Sequence, residues 1–351
     1  MDKKIYFKVN GKNLWNGGLN YIFQLKKIIE HNGLSMDILI YDFDNLGIQK
    51  LKSYDLKFKV IPTKKPLVYF LKLFLKFNVS LIKPPSFIKN NDLIFYHGLI
   101  PIFYSKAKYN LIYWLPDLLH KFYKKNFSKK ELFLREKFIK INLWKTKYIL
   151  LSSNTVSKNL KDKYSVRKKT LVFKFTSTID LNVGYNVKYN KSVVLFPHEF
   201  WKHKRHEKIV DLAHHNPEHI FILTGNKRIN KKNSSYFKFI DLYNKRKCLN
   251  IILLGEVDLN TLHSLYLTCD YIGNLSDYEG WNTAVEIGKF LNKKLILSKI
   301  ETHLEQVEGY KNVIWHEKNL KIPKNDIIYP FDYLKSSNLR GGEFCKELIS
   351  L

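Results

Sequence analysis

The residues best equipped for chemistry lie in the stretch NLSDYEGWNTAVEIGKFLNKKLILSKIETHLEQ, Asn274 to Gln306. A short apolar run ends at Ile272, and a polar turn follows with two carboxylates, Asp277 and Glu279, and then Gly280. Val285, Ile287, Phe290 and Leu291 recur at helical spacing, and Leu295 to Leu297 is a second apolar run. Strand, loop, helix, strand is one crossover unit of a parallel sheet. The loop Ser276 to Asn282 falls at the carboxyl end of a strand, where open parallel sheets bind ligands. It also leads into a helix N-terminus, whose free N–H groups and dipole attract an anion such as phosphate. The alternative reading of Glu279 is a solvated loop acid, and that of Glu286 an exposed helix charge.

The elements that must position such a loop repeat along the chain. Lys4 to Val9 reads as a strand, followed by Gly17-Gly18 and a helical pattern, Tyr21, Ile22, Leu25, Ile28 and Ile29. Two glycines there let the backbone approach a ligand closely. Strands follow at Met36–Tyr41, Asp92–Tyr96, Leu111–Leu115, Tyr148–Leu151 and Thr170–Phe175, and Ser177 to Asn190 is the expected linker. The alternation restarts with strands at Ser192–Phe196, His219–Leu223, Leu249–Leu254 and Asp270–Gly273, and the tail from Tyr329 reads as one or two helices. Two such sets predict an α/β protein of two Rossmann-like domains with a cleft between them.

On these residues the chain resembles the retaining glycosyltransferases of family 4. The donor-sugar motif of that family is Glu-Gly-aromatic, then a second Glu, a helix and a strand, matched by Glu279-Gly280-Trp281 and Glu286. The family's second Glu stands eight positions after the first, and that slot holds Ile287 here. The stretch Phe200, Trp201, Lys202, His203, Lys204 matches a subgroup of the family, with Lys204 in the slot that binds the donor pyrophosphate. The family's Arg slot falls near Glu199, and Arg205 is the residue able to compensate. Asp117, His120 and Phe127-Ser128 match a further stretch of that subgroup, although Pro116 stands where many members carry His.

The resemblance implies the GT-B fold, with parallel sheets facing across a central cleft. It implies an acceptor domain at 1–176, a donor domain at 191–334, and a final helix at about 335–351 that packs back on the first domain. It further implies metal-independent transfer of a sugar from a nucleotide-diphosphate sugar, with retention, to a glycan or lipid-linked acceptor in cell-surface polysaccharide or lipopolysaccharide assembly. Lys204 and Arg205 would face the diphosphate. Glu279, with Gly280, Trp281, Asn282 and Thr283, would hold the donor sugar, and Glu286 the ribose. Gly17 and Gly18 would face the phosphates, and Gly225 with Glu256 and Val257 the donor base. Asp117, with His120, would orient the acceptor or take its proton; the equal alternative for Asp117 is a turn or helix-cap acid.

Composition bounds the partners. Lys plus Arg is 60 against 31 Asp plus Glu, a net of +29, which calls for an anionic partner. A nucleic acid is one candidate, but no helix-turn-helix, zinc-finger or RNP signature is present. A glycosyltransferase-like binding protein without turnover is another reading, prompted by Ile287 and the missing Arg. The segment Pro66 to Phe77, apolar apart from Lys72 and Lys76 and flanked by lysines, predicts docking on an anionic membrane. Three distant cysteines argue against a disulfide framework, and neither a signal peptide nor a spanning segment is expected, so the predicted location is the cytoplasm, peripheral to the membrane's inner face. His203, His206, His214, His215 and His219 lack an acid or Cys at metal-site spacing, and neither a metal nor a cofactor is expected.

Overall fold

The computed structural model describes residues 4–10, 16–41, 44–54, 56–61, 85–89, 91–97, 110–183, 189–227, 235–323 and 327–351. Pro66 to Phe77 and Gly98 lie outside them. The chain divides into two compact units. Residues 1–118, 129–175 and 337–351 form the first, and residues 119–128 with 176–336 form the second. Sequence alone assigns residues 119–128 to the first domain, and the structure corrects this: they pack with the second.

In the first unit a parallel sheet contains β1 (Ile5–Asn10), β2 (Met36–Tyr41), β3 (Phe58–Val60), β4 (Leu93–Tyr96), β5 (Asn110–Leu115), β6 (Tyr148–Leu151) and β7 (Thr170–Val172). Their order among the described residues is β3-β2-β1-β4-β5-β6-β7. The central strands β4, β5 and β6 are buried on both faces, so they appear in sequence as apolar runs rather than as alternation. The helices α1 (Asn16–His31), α2 (Asn45–Ser53), α4 (Lys129–Lys145) and α5 (Asn154–Tyr164) connect these strands, and the short α3 (Leu119–Phe122) belongs to the other unit. Gly17 and Gly18, expected in a loop, form the first turn of α1 instead. Order reverses between β1 and β4, which puts the start of α1 at a topological switch point.

The second unit holds β8 (Val193–Pro197), β9 (Ile220–Thr224), β10 (Ile251–Gly255), β11 (Tyr271–Asn274), β12 (Lys294–Leu297) and β13 (Val313–Trp315). All pair in parallel, in the order β10-β9-β8-β11-β12-β13. Along β8, Val194 and Phe196 point into a cluster with Phe200, Ile209 and Phe239, while Val193 and Leu195 join Leu265, Val285 and Ile287 on the other face. That period of two builds a core on each side of the sheet. The helices α6 (His206–His215) and α7 (Ser235–Arg246) cover the first face, and α8 (Leu259–Thr268) and α9 (Thr283–Phe290) the second. They are followed by α10 (Glu301–Gln306) and α11 (Tyr333–Ile349). Gly273 in β11 is required by packing, because a Cβ there would fall 2.2 Å from the Phe196 ring on the neighbouring strand. The switch point of this sheet lies between β8 and β11, so the two loops expected to hold a ligand leave from adjacent strand ends.

Candidate functional site

The loop after β8 and the loop after β11 meet. After β8 the chain runs His198 to Trp201, makes a 3-10 turn at Lys202–Lys204, and enters α6 through Arg205. Arg205 sits in the left-handed region at φ 54°, where a non-glycine residue is strained. After β11 the chain crosses Leu275 to Gly280 and enters α9 through Asn282, whose side chain accepts from the Val285 N–H at 3.1 Å. The two loops are joined by backbone as well, since Asp277 N–H donates to the His203 carbonyl at 2.8 Å.

Charges then pair across 69 to 75 residues of sequence. Lys204 Nζ lies 2.5 Å from Glu279 Oε1, and Asn274 Nδ2 donates to the same oxygen at 3.2 Å. Thr302 Oγ1 donates to the Glu279 carbonyl at 2.8 Å. Arg205 Nη1 reaches Asp277 Oδ2 at 3.0 Å, and Lys208 Nζ reaches Asp277 Oδ1 at 2.8 Å. Arg205 Nε is also paired with Glu207 at 2.7 Å. Glu279 is only 8% exposed. Burial pushes its carboxyl up, but the Lys204 ammonium, with His203 behind it, outweighs that and holds it down at about 2. The carboxylate is therefore ionised at neutral pH, a fixed acceptor beside the Lys204 ammonium.

The excursion at 119–128 supports this loop. The Phe122 ring stacks on Tyr278 at 4.7 Å, and Tyr123 lies against His203 at 5.9 Å. Burial, and then Asp277 facing it, push the Tyr123 hydroxyl up to about 12, so it stays a proton donor. His120 is buried in α3 at 3% exposure. Asp117 follows the end of β5 in the first unit, half-buried. Gly18 is buried and Gly17 exposed.

Behind β9 and β10, Gly225 adopts φ 106° and its N–H donates to the Gly255 carbonyl at 2.6 Å. A Cβ at Gly225 would sit 2.7 Å from the His198 backbone, so only glycine lets these two strand ends close up. Glu256 is exposed and accepts from Asn226 at 3.2 Å, with Val257 half-buried beside it. Trp281 is buried, while Gly280 and Thr283 are half-buried at the entrance to α9.

Glu286, read from sequence as a ribose ligand or an exposed helix charge, is not an exposed charge. It is 0% exposed. Lys289 Nζ and Gln306 Nε2 donate to Oε1 at 3.3 and 3.1 Å, and the Tyr333 hydroxyl lies 3.0 Å from Oε2. Lys289 is itself buried and donates to the Gln306 carbonyl at 2.7 Å. The neighbouring Ile287 lies in the apolar cluster. Both carboxylate oxygens of Glu286 thus serve to pin α9 to α10 and to Tyr333.

Sequence reasoning missed Lys208, Tyr123, Tyr278, Asn274, Thr302 and Gln306 as partners of this site, and noted Asp277 only as a turn acid. Three buried imidazoles surround the site. Burial drives His203 down to about 4, His206 to about 3 and His303 to about 4. Each starts from 6.5, so below that pH the unfolded chain binds protons that the folded chain refuses. Stability therefore falls as pH drops through 6.5, by about 1.4 kcal/mol per pH unit for each such histidine. We expect the melting temperature to decline steeply between pH 6.5 and 4.5, and a flat profile over that range would contradict the buried, neutral placement. Glu279 adds to the loss only below its unfolded value of 4.5, as pH falls towards 2.

The two parallel-sheet α/β units, of seven and six strands among the described residues, are those of the GT-B fold. No protein-family model and no curated protein matches the sequence. Solved structures do match in fold. HepE from Anabaena, in complex with UDP and glucose, superposes with a TM-score of 0.61 at 15% identity, over 97% of this chain and 89% of that one. Sucrose-phosphate synthase from Thermosynechococcus elongatus gives 0.60 at 12% identity, over 99% and 94%. A glycosyltransferase from Rickettsia africae gives 0.57 at 16% identity, over 99% and 89%. Among the described residues no group of three or more His, Cys, Asp or Glu is arranged to hold a metal ion.

Proposed function

We propose that the protein is a retaining glycosyltransferase of the family 4 type, moving a sugar from a nucleotide-diphosphate sugar to a glycan or lipid-linked acceptor. The observation that carries this reading is the buried Lys204–Glu279 pair at the switch point, with Arg205 and Lys208 beside it. The work such a site must do is to bind a diphosphate and stabilise the charge it gains on leaving. Lys204 and Arg205 supply cations there, and the N-termini of α6 and α9 supply N–H groups. An ionised Glu279 accepts hydrogen bonds from the sugar hydroxyls. Binding would draw Lys204 from Glu279 towards phosphate, freeing the carboxylate for the sugar. Gly225, Glu256 and Val257 would border the base. Asp117 would orient the acceptor hydroxyl, with His120 a supporting group. HepE was solved with UDP-glucose, and a donor of that chemical class fits these groups.

A panel of nucleotide-diphosphate sugars, with their parent diphosphates and nucleosides, tests the reading by thermal shift and by release of diphosphate. At least one sugar nucleotide should raise the melting temperature and be turned over with an acceptor glycan. Glu279→Gln should keep the fold and lower turnover by a factor of about 10 to 100, since a hydrogen bond to a charged group contributes roughly 1.5–3 kcal/mol. An unchanged rate at an unchanged melting temperature would remove Glu279 from the site. No stabilisation by any sugar nucleotide or diphosphate would overturn the reading itself.

A further inference from the structure

Unit one carries a second surface, along α4 and into a groove at the amino edge of its sheet. Along α4, Phe133, Lys137, Lys140 and Trp144 stand at i, i+4, i+7 and i+11. At about 100° per residue these four fall within roughly 60° of one another, in one stripe along a helix about 25 Å long. The face behind the stripe is buried through Ile139, Asn142 and Leu143, so the stripe points outward. Two aromatic rings occupy it where solubility alone favours polar groups: Phe133 is 63% exposed and Trp144 76%. Each has an ammonium near its ring, Lys137 at 5.9 Å from Phe133 and Lys145 at 5.5 Å from Trp144.

At the Trp144 end the stripe opens into a groove of about 620 Å³. Lys140, Lys163, Arg167 and Lys168 line it with Tyr164, and among the described residues no carboxylate does. Lys168 is tied to the carbonyl of Trp144 in the last turn of α4 and to that of Thr146 just beyond it. Lys140, Lys163 and Arg167 are exposed. The acid on this side, Glu136, is turned onto the Tyr164 hydroxyl. The groove is lined by Ser165 to Lys168, the segment that leads into β7, and by the last turn of α4, which leads into β6. It is therefore at the amino edge of the sheet, whereas ligands of parallel sheets bind at the carboxyl edge.

We infer that this stripe and groove dock the protein on an anionic lipid bilayer. Rings at the level of the headgroups, with lysines reaching up to phosphates, are what an interfacial helix presents. Charge complementarity comes from cations lining a groove without an acid. A convex helix meets a plane of headgroups along its whole length but cannot enclose a nucleic-acid strand. The inference is independent of the reaction proposed above.

Flotation of the full chain with vesicles tests it. Wild type should rise with vesicles of phosphatidylcholine containing one quarter phosphatidylglycerol, and stay down with phosphatidylcholine alone. The variant with Lys137→Glu and Lys140→Glu should bind more weakly, by about fivefold or more for each lysine. Phe133→Ser with Trp144→Ser should abolish the part of the binding that survives high salt. All four positions are exposed, so melting temperatures should not move. Wild type that fails to float with anionic lipid would overturn the inference. So would variants that float as well as wild type, which would move docking to another surface. Loss in the variants of binding to a single-stranded oligonucleotide, with no vesicle binding by wild type, would reassign the surface to nucleic acid.

Discussion

Glu286→Ala is expected to cost the second unit about 3–5 kcal/mol, the usual consequence of removing one member of a buried ion pair. The partner left behind is Lys289, 2% exposed, which keeps its hydrogen bond to the Gln306 carbonyl. Gln306 Nε2 and the Tyr333 hydroxyl lose an acceptor at the same time. Gln306 keeps its bond to the Asn282 carbonyl at 2.7 Å, so the entry to α9 is loosened rather than freed. Glu286→Gln should cost less, since an amide oxygen still accepts. The experiment is a pair of denaturant melts together with donor titrations. If Glu286 acts on a ribose, the alanine variant keeps its stability and loses affinity. If it acts as the buried network implies, stability falls first and the affinity of the remaining folded protein changes little.

Lys204→Ala should have the larger effect on ligands. Its ammonium is the cation nearest Glu279, so its removal leaves a carboxyl whose burial alone pushes it up. We expect a stability loss of about 3 kcal/mol, and binding of a nucleoside diphosphate and its sugar weakened on the order of a hundredfold, from the loss of a charge-assisted contact. The nucleoside alone should bind as before. Calorimetry with the three ligands separates these outcomes, because equal losses for all three mean a damaged fold. A second variant sharpens the test: Lys204→Met with Glu279→Gln removes both charges. It should recover most of the stability while leaving diphosphate binding weak. Recovery of binding together with stability would show that Lys204 acts only on the loop's structure.

The linear sequence determined the architecture because parallel strands covered by helices leave a strong local trace. Continuous apolar runs such as Leu93–Tyr96 and Leu111–Leu115 gave the strands, and spacing such as Val285, Ile287, Phe290 and Leu291 gave the helices between them. Strand ends follow from that pattern, so the loops holding Lys204 and Glu279 were legible as loops at the carboxyl ends of strands. What meets what was decided only in three dimensions. Lys204 and Glu279 are 75 residues apart, and Glu286 and Tyr333 are 47 apart. No local period reports such pairings, which arise from the reversal of strand order between β8 and β11. Tertiary packing also set the phase of α9, turning Glu286 onto Lys289, Gln306 and Tyr333. It joined residues 119–128 to the second unit, where Phe122 and Tyr123 meet Tyr278 and His203. A charge one position along a helix points about 100° away, and which of those directions is buried depends on neighbours that only the folded chain brings together.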